Sequence, residues 1–302
     1  MNLRFLETFL MVARLKSFSA AGERMNTTQA AVSSRIATLE RQLGVRLFER
    51  DMRSVVLTPQ GWSALARAEE IVKMVAEFRI EIGSPTTLSG TIAIGTVETI
   101  VYTWLPRLLE QMKATYPHVS LDLTVDTSLN IAELVRDGGV DLGILMGPVM
   151  DETLQSIEVC SFECAWFAST KLGLPAQVDL SEVILHPLFA YSKRSQPHQV
   201  ILRLLEQHGV AANEARIYNS NSIATMIRLL CDCGGIAALP APMVEDHLDA
   251  ERMARIEVNV VLPPMRFHVV YGESPANPIP ATIARMAQRI AAEFDAERCV
   301  RR

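Results

Sequence analysis

Residues Phe18–Arg50 read FSAAGERMNTTQAAVSSRIATLERQLGVRLFER, and the interpretation of the whole chain starts from this stretch. It predicts two short helices joined by a turn. The second helix is expected to begin at Thr28, because a threonine hydroxyl can accept a hydrogen bond from a free N–H of the first helical turn. It is expected to end at Gly44, since glycine readily adopts the left-handed conformation that closes many helices.

The second helix has an apolar face and a polar face. Apolar residues recur at helical spacing, at Val32, Ile36, Leu39 and Leu43. The opposite face carries small or hydrogen-bonding residues, namely Gln29, Ala30, Ala31, Ser33 and Ser34, and then Thr38 and Arg41. Such a helix end suits the major groove of DNA, where Gln and Ser reach base edges and free N–H groups meet phosphate. An ordinary amphipathic core helix has the same periodicity, so periodicity alone leaves both interpretations open.

The order of residues up to position 61 carries a family resemblance. The matching residues are Phe18–Ala21, Thr28–Ser33, Ile36, Leu39, Glu40, Leu43, Gly44, Leu47, Phe48, Arg50, Leu57, Thr58 and Gly61. In this order they resemble the LysR-type transcriptional regulators. The resemblance implies a winged helix-turn-helix in residues 1–58, with the helix-turn-helix at about 18–37 and the wing at Asp51–Leu57. The DNA contacts it implies are Thr28, Gln29, Ala30, Ser33, Ser34, Arg35, Thr38, Arg50 and Arg53.

Composition and charge limit the class of protein. A chain of 302 residues with 49% hydrophobic residues is long enough for more than one globular domain. No apolar run approaches the ~18 residues of a membrane helix, and the N-terminus lacks a signal-peptide pattern. A cytoplasmic, nucleoid-associated protein without a membrane partner is therefore expected. The net charge is −5, yet residues 1–58 hold nine Lys/Arg against five Asp/Glu and the remainder holds 20 against 29. Positive charge is thus concentrated in residues 1–58, the candidate DNA-binding part of the chain.

The cysteines and histidines show no metal-binding or catalytic spacing. Cys160, Cys164, Cys231 and Cys233 are predicted to be buried small apolar groups rather than redox centres or metal ligands. The sequence contains no GxSxG elbow, no HExxH and no phosphate-binding glycine loop. No catalytic residue, metal or cofactor is therefore expected. An enzyme on a two-lobed scaffold and a solute-binding module without DNA function are the alternatives, and residues 1–58 argue against the second.

Residues 59–89 are predicted to form a linker helix and a hinge. Thr58 and Pro59 mark a helix start, and the helix is expected to continue to about Gly83. Its apolar residues follow a near-heptad rhythm at Leu65, Ala68, Val72, Val75 and Ile82, which suits pairing with a second copy. The family resemblance likewise implies an antiparallel dimer of this helix. Packing on its own domain is the alternative. Gly83–Gly90 is predicted to be a flexible hinge.

Strand-like and helical runs alternate in residues 90–302, which implies mostly parallel sheets with helices on both faces. The strand-like runs are Thr91–Ile94, Val119–Val125, Val140–Leu145, Glu163–Ala168, Leu188–Tyr191, Ile236–Leu239 and Phe267–Tyr271. The helical runs are Thr99–Tyr116, Ile131–Asp137, Gln199–His208, Ser222–Leu230 and Pro280–Asp295. The family resemblance extends here through Ile94-Gly95, Leu105-Pro106, Tyr116-Pro117, Asp141–Ile144 and Gly235–Pro240. It implies a two-lobed effector domain like periplasmic binding proteins, with lobe I at 90–162 and 267–302 and lobe II at 163–266. The predicted fold class is α+β multidomain: an all-α winged helix-turn-helix, a long linker helix and an α/β effector domain.

The effector is expected at the carboxyl ends of the strands, where helix N-termini face a crevice. The predicted effector-binding residues are Thr96, Glu98, Thr99, Thr127, Ser128, Tyr191, Ser195 and Ser222. Each hydroxyl has the alternative role of a simple helix cap. The Glu98 carboxylate is expected to repel small carboxylates, so the effector is predicted to be neutral or to carry a cationic group.

These observations predict a ligand-responsive, sequence-specific DNA-binding transcriptional regulator. A homodimer should bind a partly palindromic double-stranded operator, with each recognition helix reading one half. The family resemblance implies a dimer or a homotetramer built as a dimer of dimers. It also implies a small-molecule effector in the interlobe cleft that changes DNA bending and transcription. RNA polymerase is an expected partner if the protein activates transcription.

Overall fold

The computed structural model of the protein describes residues 2–25, 27–49, 55–82, 89–211, 214–272 and 279–301. Four helices come first along the chain: α1 (Leu3–Leu15), α2 (Phe18–Arg24), α3 (Gln29–Leu43) and α4 (Pro59–Ile82). Both predicted ends of α3 are confirmed. The Thr28 hydroxyl accepts a hydrogen bond from the N–H of Ala31, and Gly44 adopts a left-handed φ of 71°.

The apolar face of α3 packs into the core of this N-terminal part. Its three buried residues are Val32, Ile36 and Leu39, whereas Leu43 at the end of the helix is 42% exposed. Phe9 of α1 meets Phe48 edge to face, with ring centroids 5.5 Å apart, beneath the same face. Because this face is used for packing, the polar face of α3 is left at the surface.

The predicted wing is described only at its two ends. Residues 51–54 lie outside the described residues, as does Arg50. Phe48 pairs with Leu57 in an antiparallel bridge, and the N–H of Glu49 donates to the carbonyl of Val56 at 2.8 Å. The segments on the two sides of the predicted wing therefore lie next to each other, as the two strands of a wing do.

Helix α4 begins as predicted, because the Thr58 hydroxyl accepts a hydrogen bond from the N–H of Gly61 at 2.9 Å. Two residues of its predicted pairing stripe, Ala68 and Val72, are buried in the core shared with α1. For these two residues the structure shows the alternative, packing on the helix's own domain. The apolar residues that α4 exposes are Trp62, Met74 and Phe78. The side chain of Ile82 and residues 83–88 of the predicted hinge lie outside the described residues.

Two β-sheets follow, named here lobe I and lobe II with the helices that pack on them. Lobe I has the strand order β2-β1-β3-β11-β4, from β1 (Ser89–Thr96), β2 (His118–Val125), β3 (Leu142–Met146), β4 (Leu154–Phe162) and β11 (Met265–Gly272). Lobe II has the order β6-β10-β5-β9-β7-β8, from β5 (Cys164–Ser169), β6 (Gln177–Val178), β7 (Leu188–Tyr191), β8 (Ile217–Ser220), β9 (Ile236–Pro240) and β10 (Met253–Val258).

Helices pack against both sheets. Those of lobe I are α5 (Glu98–Val101), α6 (Leu105–Thr115), α7 (Ser128–Arg136) and α12 (Ile279–Arg301). Those of lobe II are α8 (Leu180–Val183), α9 (Gln196–Gln207), α10 (Ile223–Cys233) and α11 (Glu245–Asp249). The single helix predicted over Thr99–Tyr116 is thus two helices, with Pro106 in the first turn of the second. No helix in the described residues is both long enough and apolar enough to span a membrane.

The sheets are more mixed than predicted. Strands of β-α-β units run parallel, as β1 does with β2 and β3. By contrast, β11 runs antiparallel to β3 and β4, and β5 runs antiparallel to β9 and β10. The strands β5 and β11 are those that the chain reaches on passing from one sheet to the other. No crossover helix within the sheet fixes their direction, so the alternation of elements did not predict it.

Candidate nucleic-acid interface and ligand cleft

The N-terminal half of α3 forms an exposed polar surface. Of the residues predicted to contact DNA, Thr28, Gln29, Ala30 and Ser34 are exposed, and Ser33, Arg35 and Thr38 are half-buried. Within the described part of the chain, no hydrogen bond engages the side chains of Gln29, Ser33 and Ser34. These three groups are therefore free to bond to an external partner.

The other predicted DNA contacts on α3 are already engaged within the protein. The Thr28 hydroxyl caps the helix, and the Thr38 hydroxyl donates to the carbonyl of Ser34 at 2.8 Å. The guanidinium of Arg35 donates to the hydroxyl of Thr8 in α1 at 3.5 Å. Arg50 and Arg53 lie outside the described residues.

Gly22 allows the close crossing of α2 and α3, and the sequence interpretation did not single it out. A Cβ at this position would lie 3.0 Å from the carbonyl oxygen of Thr27 and 3.1 Å from the backbone nitrogen of Gln29. Any larger residue would push α2 away from the turn. Gly22 thus permits α2 to pack closely against the turn and the start of α3.

A cleft of about 810 Å³ lies between the two lobes. It is lined in lobe I by the segment that follows β1 and by the ends of β2 and β3, in lobe II by the ends of β7 and β8, and by Met265 and Phe267 of β11. Seven of the predicted effector-binding residues line it: Glu98, Thr99, Thr127, Ser128, Tyr191, Ser195 and Ser222. The structure therefore brings together residues that are far apart in sequence.

Thr96 is the exception and requires a correction. Its side chain is fully buried and does not line the cleft. Successive strand residues point to opposite faces, so Thr96 shares the face of Ile92 and Ile94, which is packed in the core of lobe I. The face of the sheet on which the side chain of Thr96 lies is decided only by the register of β1.

Among the helix N-termini that reach the cleft, those of α7, α9 and α10 have a hydroxyl cap. Thr127 accepts from the N–H of Asn130 at 3.4 Å, Ser195 from His198 at 3.3 Å and Ser222 from Thr225 at 3.2 Å. The cap interpretation is thereby confirmed for these residues. A hydroxyl that accepts one hydrogen bond still has its own proton to donate, so capping leaves each residue able to bind a ligand.

Ser128 and Asp126 hold the first turn of α7 in place. The Ser128 hydroxyl accepts from the N–H of Met146 at 3.1 Å, which ties the start of α7 to the end of β3. The Asp126 carboxylate accepts from the N–H of Thr127 and from the side-chain amide of Asn130, at 2.6 and 3.0 Å. Asp126, like Met265 and Phe267, lines the cleft but was missed in the sequence, because no residue pattern marks where a strand enters a shared cavity.

Glu98 spans the cleft. Its Oε2 accepts a hydrogen bond from the backbone N–H of Ile223, the first residue of α10. The sequence interpretation placed this carboxylate beside the ligand, and it does line the cavity. One of its two oxygens is thus bonded at the N-terminus of α10, while the residue lines the cavity.

Tyr191 forms part of the wall next to Glu98. Burial raises the pKa of its phenol well above the usual range, and the nearby Cys164 and Glu98 raise it further. Its hydroxyl lies 4.0 Å from the sulfur of Met265. Asn219 donates to the Tyr191 carbonyl at 2.8 Å and fixes the end of β7. Tyr191 therefore stays protonated across the physiological pH range.

The four cysteines whose burial the structure describes divide into two groups. Cys160 and Cys231 are buried and Cys164 is half-buried, as predicted for small apolar groups, but Cys233 is exposed, which corrects that prediction. Burial raises the pKa of Cys160 and of Cys164 to about 12. Among the described residues, no group of three or more His, Cys, Asp or Glu side chains is arranged to hold a metal ion.

Comparison with known proteins assigns the family. Residues 3–62 match the bacterial regulatory helix-turn-helix proteins of the lysR family, and residues 85–293 match the LysR substrate binding domain. The chain belongs to the LysR family of transcriptional regulators. The predicted fold class and the predicted function, a DNA-binding regulator with a ligand-binding domain, are confirmed.

Individual relatives support the same assignment. The chain is 26% identical over 261 residues to the HTH-type transcriptional regulator GltR of Bacillus subtilis, and the match covers 86% of each chain. Its fold is similar to that of a full-length OxyR variant from Pseudomonas aeruginosa, with a TM-score of 0.65 and 19% identity over 96% of this chain and 95% of that one. It is also similar to full-length CbnR in complex with its target DNA, with a TM-score of 0.52 and 19% identity over 96% and 100% of the two chains.

Proposed function

We propose that Gln29, Ser33 and Ser34 of this LysR-family regulator read base edges in the major groove. They are the polar side chains at the exposed end of α3 that no other group in the described part of the protein engages. Gln pairs well with adenine, and serine can bond to several base edges. The small side chain of Ala30 allows a close approach. Thr28 and Thr38, together with Arg35, Arg50 and Arg53, are assigned to backbone contacts, which position the protein without reading sequence.

The operator-binding form is proposed to be a homodimer, or a homotetramer made of two dimers. The exposed Trp62, Met74 and Phe78 of α4 support this, because large apolar side chains at the surface of a helix favour burial against a partner. A two-fold dimer presents two copies of α3 to a partly palindromic double-stranded site. In an activating complex, RNA polymerase is the proposed further partner, and the nucleoid is the proposed location.

The interlobe cleft is proposed as the effector site. Residues 90–302 form the proposed effector domain after a DNA-binding domain of residues 1–58 and a linker of residues 59–89. A small molecule held by residues of both lobes binds some relative positions of the lobes better than others, and so shifts the equilibrium between them. No catalytic step and no cofactor are part of this proposal.

The observation that carries the proposal is the set of unengaged polar side chains at the N-terminal end of α3. Selection of binding sites from a random pool of DNA duplexes tests it. The wild-type protein should enrich a partly symmetric motif, and Ser33→Ala should enrich a motif with relaxed preference at one position in each half. An unchanged motif for Ser33→Ala, Ser34→Ala and Gln29→Ala together would contradict the assignment of base reading to this surface.

A further inference from the structure

The N-terminus of α10 in lobe II is occupied by a carboxylate of the protein itself. Glu98 accepts the N–H of Ile223, while the Ser222 hydroxyl accepts the N–H of Thr225 in the same turn. The first N–H groups of a helix lack partners within it and carry partial positive charge, so they favour an anion. In this chain the carboxylate of Glu98 occupies this anion position at the N-terminus of α10 before any ligand enters the cleft.

Glu98 lines the cleft together with two aromatic side chains, Tyr191 and Phe267. Among the described residues, the only hydrogen bond of the Glu98 side chain is the one from Ile223 through Oε2. Tyr191 is close enough for the charge of Glu98 to contribute to its raised pKa, after burial and Cys164. Within the described part of the chain the Tyr191 hydroxyl bonds to a thioether sulfur, a weak acceptor, and Phe267 lines the same cavity.

A carboxylate in a cleft that also contains aromatic rings suits a protonated amine. The carboxylate accepts a charge-assisted hydrogen bond, and the ring faces attract a cation. A carboxylate of the ligand would instead meet the charge of Glu98 and find the α10 N–H already bonded. The cations of the cleft do not compensate, because Lys193 and Arg194 are exposed to solvent and Arg136 is paired with Asp151.

We propose that Glu98 determines the charge of the effector: it selects a ligand that presents a protonated amine to this end of the cleft, and it excludes a carboxylate from the N-terminus of α10. The assignment rests on the cleft being the effector site. In this assignment Glu98 links the two lobes through its hydrogen bond with Ile223 and also determines the specificity for the effector.

Calorimetric titration with two probes of equal chain length tests the proposal. Butylammonium chloride and sodium butanoate are titrated into the full-length wild type, Glu98→Gln and Glu133→Gln. The amide of Glu98→Gln keeps an oxygen that can accept the N–H of Ile223, removes the charge and replaces the other oxygen by an NH2 donor. Glu133→Gln is the matched control, because Glu133 is an exposed carboxylate that lines the same cavity.

The wild type and Glu133→Gln should bind butylammonium at least about 10-fold more tightly than butanoate, and Glu98→Gln should lose this preference. A wild type that binds butanoate as tightly as butylammonium, or that binds butylammonium no better than Glu98→Gln does, would overturn the proposal.

A second measurement examines the occupied N-terminus of α10 directly. Glu98→Ala removes the carboxylate from the N-terminus of α10, so an added anion can bind there. Sodium acetate should therefore raise the thermal midpoint of Glu98→Ala relative to sodium chloride at equal ionic strength. The thermal midpoint of the wild type should be the same in both salts. An equal response of both proteins would show that Glu98 does not occupy an anion site. A natural effector that alters DNA affinity while binding outside the cleft would contradict the proposed effector site, and the probe preference at Glu98 would still be measurable.

Discussion

Arg24 at the end of α2 donates to the carboxylate of Asp141, the residue that precedes β3, and so joins the helix-turn-helix to lobe I. Both side chains are largely buried, with exposures of 14% and 9%. Asp141 also accepts the N–H of Ala93 at 2.9 Å. The strand that follows Asp141 ends at Met146, which lines the interlobe cleft. A single strand therefore runs from the ligand cleft to the contact with the DNA-binding helices.

Removing one partner of this ion pair should destabilise the protein strongly. Arg24→Gln leaves the Asp141 carboxylate buried with one hydrogen bond fewer, and the free energy of unfolding should fall by about 3 kcal/mol. Urea unfolding measures this. Arg107→Gln is the control, because Arg107 makes an equally direct pair with Glu297 while both side chains are about half exposed. It should cost under about 1 kcal/mol, and equal losses for the two variants would contradict burial of the Arg24 pair.

Gly61 is expected to tolerate no side chain. A Cβ there would lie 2.1 Å from the carbonyl oxygen of Leu47, which cannot move without opening the base of the wing. Gly61→Ala should therefore lower the free energy of unfolding by about 3 kcal/mol. Gly272→Ala is the matched control, since among the described residues its Cβ would meet only the Leu154 side chain, at 3.8 Å. Equal midpoints in chemical denaturation for these two variants would show that the contact at Leu47 relaxes freely.

The cysteines should differ sharply in reactivity. Thiolates are the reactive form, and burial holds the pKa of Cys160 and Cys164 at about 12, so both remain thiols at pH 8. Cys233 is exposed. Brief iodoacetamide treatment of the native protein at pH 8, followed by peptide mass spectrometry, should label Cys233 and spare Cys160 and Cys164. In denaturant all three should react, and equal native labelling would rule out the burial described for β4 and β5.

Helix α3 could be predicted from the sequence because its determinants are local. Thr28 caps one end, Gly44 closes the other, and the apolar residues between them recur at helical spacing. The strands β1, β7 and β9 were found for a similar reason, as short apolar runs bounded by turns. Short strands with exposed residues, such as β8 and β10, were not found, because half-exposed strands of a few residues carry little pattern of their own.

The cleft was predicted only in part because its chemistry depends on long-range pairing. Glu98 could be named from the sequence as a residue near the ligand, but Ile223, whose N–H donates to its carboxylate, is 125 residues away. Thr96 was misplaced because the face of a strand end depends on register. Arg24 and Asp141 are 117 residues apart and showed no sign of being paired. Most residues of the site could therefore be predicted from local sequence, whereas the fold was needed to show which of them lie in contact.

The affinity of Gln29→Ala for operator DNA tests the central claim most directly. Fluorescence anisotropy would compare the selected duplex with a scrambled duplex of the same composition at fixed salt. Gln42→Ala is the matched control, since Gln42 is exposed near the other end of α3 and, at about 100° per residue, lies about 140° around the helix from Gln29. Gln29→Ala should weaken operator binding by about 10- to 100-fold, the loss of one good base contact, and should leave scrambled-duplex binding unchanged, while Gln42→Ala should bind both duplexes as the wild type does. Full operator affinity in Gln29→Ala, or the same loss in Gln42→Ala, would contradict base reading by the N-terminal end of α3.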